Sequence, residues 1–365
     1  MMRAAWLAIL IVCAALQPAA ADEFVREELR IPFAAAGPRG LEAVLIRPAG
    51  TQRYPLALIS HGAPRDGGAR PRMTPNAMYP HAVEFARRGF AALAVMRRGY
   101  GDSGGDYAEN SGPCDYRDYL LAAKASVSDL RAAIDAMNTR PDVTTQGMIA
   151  VGVSAGGFAS VALTADPPPG LAAAISFAGG RGSRADNDVC DEAALERAFA
   201  TFGKTSRTPM LWVYAANDKF FAPELAHRLH GAFTAAGGRA EFIDAPAFGS
   251  DGHFLFSAGV AIWTPMVDSF LREQNLGTRD LLAAPSPASL PMPTRLSDKG
   301  RAAFTAYLAA RPHKAFAVSP KGGFAYRTGL RTAAEALNAT LGACAKLALN
   351  CAPYAIDDKL AETGN

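Results

Sequence analysis

Short, uniformly apolar runs recur along the chain up to about residue 275, alternating with stretches of helical periodicity. Leu56–Ser60, Phe90–Met96, Met148–Val153, Leu171–Phe177, Met210–Ala215 and Ala240–Ile243 predict strands, most of them buried on both faces. Two more mixed runs, Phe24–Phe33 and Leu41–Ile46, predict strands at the start of the sheet, the first exposed. Between and after these, the spacing predicts helices over about Pro80–Arg88, Tyr119–Met137, Asp191–Phe202, Pro223–Ala236 and Ile262–Gln274. Leu120, Val127, Leu130, Ile134 and Met137 share one face of the longest. Such alternation predicts an α/β fold, a mostly parallel sheet flanked by helices. In such sheets functional groups gather at the carboxyl ends of the strands, and His61, Arg97, Ser154 and Asp218 all follow strand ends.

The most informative junction is Gly152-Val153-Ser154-Ala155-Gly156, which fits G-x-S-x-G between an apolar strand and a helix beginning near Gly157. The glycines permit a sharp turn and clear side chains from around Ser154, and the helix start points free N–H groups at a developing oxyanion. Gly99-Tyr100-Gly101-Asp102-Ser103-Gly104 also fits the glycine pattern of a dinucleotide loop. That site needs a helix opening at the third glycine, whereas the polar stretch 105–118 intervenes, so no nucleotide cofactor is expected.

The ends of the chain add organisation. Residues 1–21 read as a signal peptide: Arg3, an apolar run Ala4–Leu16, and small residues ending at Ala21. The run is too short to span a bilayer, so no stable membrane insertion is expected after cleavage. Residues 22–275 form the predicted catalytic domain, 276–297 a linker with Pro285, Pro287, Pro291 and Pro293, and 298–365 a small C-terminal α+β module. That module carries helices near Gly300–Ala310 and Thr332–Leu341 and strand-like runs at Lys314–Val318 and Tyr354–Ile356. Within the 365 residues the formal net charge is only +3 and both signs are mixed, which gives no electrostatic case for nucleic acid. Besides Cys13 in the leader, the chain has Cys114, Cys190, Cys344 and Cys351, an even set that suggests disulfides in an exported protein. Closeness within one small module pairs Cys344 with Cys351 and leaves Cys114 with Cys190. No C-x-x-C pair or neighbouring histidine gives zinc-site spacing, so no metal is expected.

With His61-Gly62 after the third strand, Arg98-Gly99-Tyr100-Gly101-Asp102-Ser103 after the fourth and the serine turn after the fifth, residues 23–275 resemble the α/β-hydrolase superfamily, in its dienelactone-hydrolase-like and secreted-esterase branch. The resemblance implies the chain order nucleophile, acid, histidine, and so a set of Ser154, Asp218 and His253. Chemistry requires such a set: serine is a weak nucleophile until histidine takes its proton, and the carboxylate fixes the tautomer of that histidine. The oxyanion hole would use the N–H groups of Ala155 and Ala63. The resemblance makes His61 a structural loop residue and the 98–103 loop a brace for the site floor. His227 and His230 fall within a predicted helix, and Asp251 lies too near His253 in sequence to orient it. A Cys114–Cys190 bridge would pin two rim segments above Ser154. The short segment between Phe177 and Met210 implies a small lid and an open site suited to a soluble ester.

The expected activity is thus that of a periplasmic or secreted serine hydrolase cleaving small or oligomeric carboxylic esters through an acyl-enzyme. Two alternatives stand beside it. One is a compact peptidase of the prolyl-oligopeptidase type. The other is a non-catalytic binding or scaffold protein acting through the C-terminal module, which is a candidate for a cell-envelope partner. An intact Ser154, Asp218 and His253 weigh against the latter.

Overall fold

A computed structural model describes residues 23–278 and 280–362. The leader assigned to 1–21 lies outside the described residues. The chain begins with strands β1 (Phe24–Ile31), β2 (Leu41–Pro48) and β3 (Tyr54–Ser60), then helix α1 (Tyr79–Arg87), β4 (Ala91–Val95) and α2 (Tyr119–Asn138). It continues through β5 (Val143–Val153), α3 (Ala155–Thr164), β6 (Leu171–Phe177) and a small hairpin, β7 (Ser183–Ala185) with β8 (Asp188–Val189). α4 (Glu192–Gly203), β9 (Met210–Ala215), α5 (Pro223–Ala235), β10 (Ala240–Ala245), α6 (Leu255–Ala258) and α7 (Val260–Glu273) complete this part.

Eight strands form one sheet in the order β1-β2-β4-β3-β5-β6-β9-β10. β2 runs against both of its neighbours, and every other pairing is parallel. The uniformly apolar strands are explained by their two covered faces. In β3, Leu56 and Leu58 face a core built with Leu130, Phe158, Phe199 and Phe233, while Ala57 and Ile59 face a second core with Phe85, Trp263 and Phe270. Helices α2 to α5 thus cover one face, and α1 and α7 the other. β5 begins at Val143, ahead of the predicted start at Met148, because Gly147 takes a positive φ and the pairing with β3 shifts register nearby.

Beyond α7, residues 281–294 run without regular structure apart from a turn at its end and are mostly exposed. The stretch starts against the end of α1, where Leu282 N–H donates to Arg87 O at 2.9 Å. It ends on the C-terminal module, where Tyr354 Oη donates to Pro291 O at 2.7 Å. The module holds α8 (Asp298–Leu308), β11 (Ala315–Val318), β12 (Phe324–Arg327), α9 (Ala333–Ala345), β13 (Ala352–Ile356) and β14 (Lys359–Leu360). Its four strands form an antiparallel sheet over a core of Leu296, Phe304, Tyr307 and Phe316. β12 and β14 were not anticipated; both are very short and carry little period-2 signal.

Both expected disulfides are present. Cys114–Cys190 spans 76 residues and Cys344–Cys351 spans 7. Among the described residues no single helix is long and apolar enough to cross a membrane.

The module is seated against the larger sheet through Arg331. Its Nε pairs with Glu42 Oε1 at 3.1 Å, and its Nη2 donates to Pro71 O and Met73 O. Thr74 and Asn76 donate in turn to Gly329 O and Leu330 O. These contacts fix the 66–78 loop, which forms one wall of the cleft described next.

Candidate active site

Ser154 sits in the sharp turn between β5 and α3 with φ +54° and ψ −121°, a conformation that costs a residue with a side chain and is held by its surroundings. Its N–H donates to Phe177 O, and its carbonyl accepts from Phe158 N–H and Gly180 N–H. The flanking glycines are required by close approach. A Cβ on Gly156 would lie 2.0 Å from Ser60 O, and one on Gly152 would lie 2.1 Å from Gly156 O. The helix can therefore start directly over the strand ends only with glycine at both positions.

Asp218, just past β9, and His253, in a single helical turn after β10, meet beyond the carboxyl end of the parallel strands, the end at which Ser154 follows β5. His253 Nδ1 lies 3.1 Å from Asp218 Oδ2 and 3.2 Å from Oδ1. Asp218 Oδ1 also accepts the N–H groups of Phe220 and Phe221, which fixes the carboxylate. The His253 ring stacks on Phe220 at 3.8 Å between centroids, and Arg65 lies 3.5 Å over the Phe220 ring. Asp251 does not touch the imidazole. Its carboxylate accepts the backbone N–H groups of His253 and Lys219 and so joins the two loops that carry His253 and Asp218.

Ser154, Ala155 and Ala63 line one cleft of about 270 Å³. The Ala155 N–H lies at the start of α3, where no intrahelical acceptor exists. Ala63 belongs to the loop after β3, beside Gly62, whose Cβ if present would be 3.1 Å from Ser154 Cβ. Ala63 and Ala155 therefore border the same space as Ser154.

His61 lies below this loop, fully buried. Its Nδ1 hydrogen-bonds Gly62 O and its Nε2 accepts the N–H of Arg97. Burial, reinforced by the Arg97 charge, pushes it down to about 3, so it is neutral and structural. His227 pairs with Asp244 on the outside of α5, and His230 reaches Ala240 O; neither approaches the site. The Gly99–Gly104 loop is tied to the neighbouring strands: Asp102 N–H donates to Glu42 Oε2, and Ser103 Oγ donates to Met96 O.

Sequence reasoning missed a buried ionic network under the cleft. Glu109 is ion-paired with both Arg97 and Arg181 and also accepts from Tyr100 Oη and Ser126 Oγ. Burial alone would raise the Glu109 carboxyl, but the two guanidinium groups hold it well below the usual carboxylate range. The tyrosine is driven up by burial and stays neutral.

This architecture is the α/β-hydrolase fold. Esterase 2 of Thermogutta terrifontis, solved phosphorylated by paraoxon, superposes with a TM-score of 0.51 at 17% identity, over 70% of this chain and 96% of that one. A candidate dienelactone hydrolase from Klebsiella pneumoniae gives 0.45 at 16% identity, over 68% and 99%. An acylaminoacyl peptidase bound to a chloromethyl ketone gives 0.49 at 12%, over 72% of this chain and 43% of that one. The model of the X-Pro dipeptidyl-peptidase (S15) family matches residues 39–208, a little under half of the chain. The matched segment includes Ser154 and ends before Asp218 and His253. No curated protein matches the chain.

Proposed function

We propose that the protein is an exported serine hydrolase that cleaves carboxylic esters through an acyl-enzyme on Ser154. The observation that carries this reading is the pairing of a strained Ser154 with a buried His253–Asp218 hydrogen bond at the same end of the sheet. Ser154 Oγ attacks the ester carbonyl as His253 Nε2 takes its proton. The oxyanion is met by the N–H groups of Ala63 and Ala155. His253 returns the proton to the departing alkoxide, and water then releases the acid by the same route in reverse. Asp218 holds Nδ1–H and stabilises the imidazolium. The leader-like N-terminus and the two disulfides support export to the periplasm or beyond.

The S15 match favours a second reading, a compact serine peptidase. Short aryl esters assayed beside aminoacyl and X-Pro arylamides separate the two. Turnover of esters with amides untouched supports the esterase reading, and efficient amide cleavage replaces it with the peptidase.

A further inference from the structure

The walls of the cleft at Ser154 are strongly cationic. Arg65, Arg70, Arg117 and Arg181 line it, and Glu109 is the only acid among the lining residues. That acid is already committed, since Arg97 and Arg181 both pair with it; the buried trio therefore carries one surplus positive charge. Arg65 is matched by Asp186 at the rim. Arg70 and Arg117 differ. Among the described residues neither has a carboxylate partner: Arg70 stacks on Tyr107 at 3.8 Å, and Arg117 reaches only Ser111 Oγ, Gly112 O and Cys190 Sγ. Arg117 Nε is buried with no partner at all. The Asp191 carboxylate caps α4 and accepts the backbone N–H of Arg117, not its side chain.

Surplus buried charge is costly unless an opposite charge meets it, and guanidinium groups in a walled cleft are matched to carboxylate geometry. The orientation of the substrate follows from the lining. Ser154, Ala63 and Ala155 border the cleft while His253 does not. The leaving group must lie against His253 to receive its proton, so the cleft holds the acyl part. We propose that the site selects acyl groups bearing a free carboxylate, that is, half-esters of short dicarboxylic acids, read by Arg70 and Arg117 with Arg181 behind them. The same field disfavours a substrate presenting a free ammonium, such as the N-terminus of a peptide. This inference rests on the esterase reading for its substrate form, but its anion site is testable alone.

The test compares the mono-4-nitrophenyl ester of glutaric acid with the same compound whose free carboxylate is capped as a methyl ester. The expected kcat/KM ratio favours the free acid by about tenfold or more, and it shrinks as salt rises from about 20 mM to about 500 mM. Arg70→Gln and, separately, Arg117→Gln narrow the ratio by several-fold; a merely structural defect would slow both esters alike and leave the ratio intact. Equal rates, or preference for the capped ester, overturn the proposal while leaving the esterase reading in place. If neither ester is cleaved, calorimetry with monomethyl glutarate on the wild-type protein decides. Saturable binding that weakens in Arg70→Gln upholds the anion site without the esterase, and no binding overturns it.

Discussion

His253 Nδ1 and Asp218 Oδ2 stand 3.1 Å apart, with both side chains almost wholly buried, though 35 residues separate them in sequence. The carboxylate is not free to swing away, because two backbone N–H groups hold its Oδ1. Asp218→Asn is therefore expected to preserve the fold while presenting the wrong group to Nδ1. Its kcat on a reactive aryl ester should fall by about 10⁴-fold, with the melting temperature little changed. Loss of less than about tenfold would remove Asp218 from the role assigned here.

The placement of Ala63 yields a second prediction. Ala63→Pro deletes one N–H from the proposed oxyanion hole and leaves Ser154, His253 and Asp218 unaltered. The expected loss is about 10²- to 10³-fold in kcat, read by steady-state kinetics. Unchanged kcat would assign the second donor elsewhere in the loop after β3.

Acid should destabilise the protein well above the range in which its carboxylates titrate. His61 is held down to about 3 by burial and the Arg97 charge, and His81 to about 4 by burial. Both are neutral when folded and protonate readily when unfolded, so the unfolded state binds more protons below the ordinary histidine pKa. Stability is full above that pKa and falls as pH drops toward the folded values. Each histidine is expected to cost on the order of 2 kcal/mol at pH 5 relative to pH 7. His313 runs the other way: the carboxylate of Asp357 beside its Nδ1 and the hydrogen bond from its Nε2 to Glu28 raise it, contributing stability at low pH that is lost as pH rises. Its partial exposure makes it the smaller effect. Urea unfolding at the two pH values checks the balance; a flat profile would contradict it.

Arg331 links the C-terminal module to the wall of the cleft. Arg331→Ala leaves the nearly buried Glu42 without its cation and frees Pro71 O and Met73 O. A loss of about 1–3 kcal/mol is expected. Because Arg70 lies on the same loop, KM for a substrate filling the cleft should rise more than kcat falls. Wild-type stability and KM in this variant would mean that the module does not brace the loop.

How much of this was legible in the chain depended on how local the cause was. The strands of the main sheet were readable because both faces are covered, so Leu56–Ser60 or Met210–Ala215 contain almost nothing but apolar residues. Ser154 was readable because its turn requires glycines at fixed spacing, and these sit in the sequence around it. Asp218 and His253 carry no local signal of their own; a family resemblance suggested them, and the structure brings them together. Arg97 was legible only as a residue following a strand end, and Glu109 and Arg181 not at all. Charged residues ordinarily belong at the surface, and these three meet only after β4, the loop before α2 and the segment after β6 converge. The Phe220 ring that backs His253 was hidden for the same reason: stacking follows from a turn whose geometry Asp218 and Asp251 set through backbone N–H groups. The hairpin of β7 and β8 is too short and polar for a period to show.

The central claim is that Ser154 is an activated nucleophile, and intact-mass measurement after treatment with a fluorophosphonate tests it most directly. The account predicts one phosphonyl adduct per chain, mapped to the peptide containing Ser154, slowed greatly in His253→Ala and absent in Ser154→Ala. An adduct that persists in Ser154→Ala, or none on the folded wild-type protein, would contradict it.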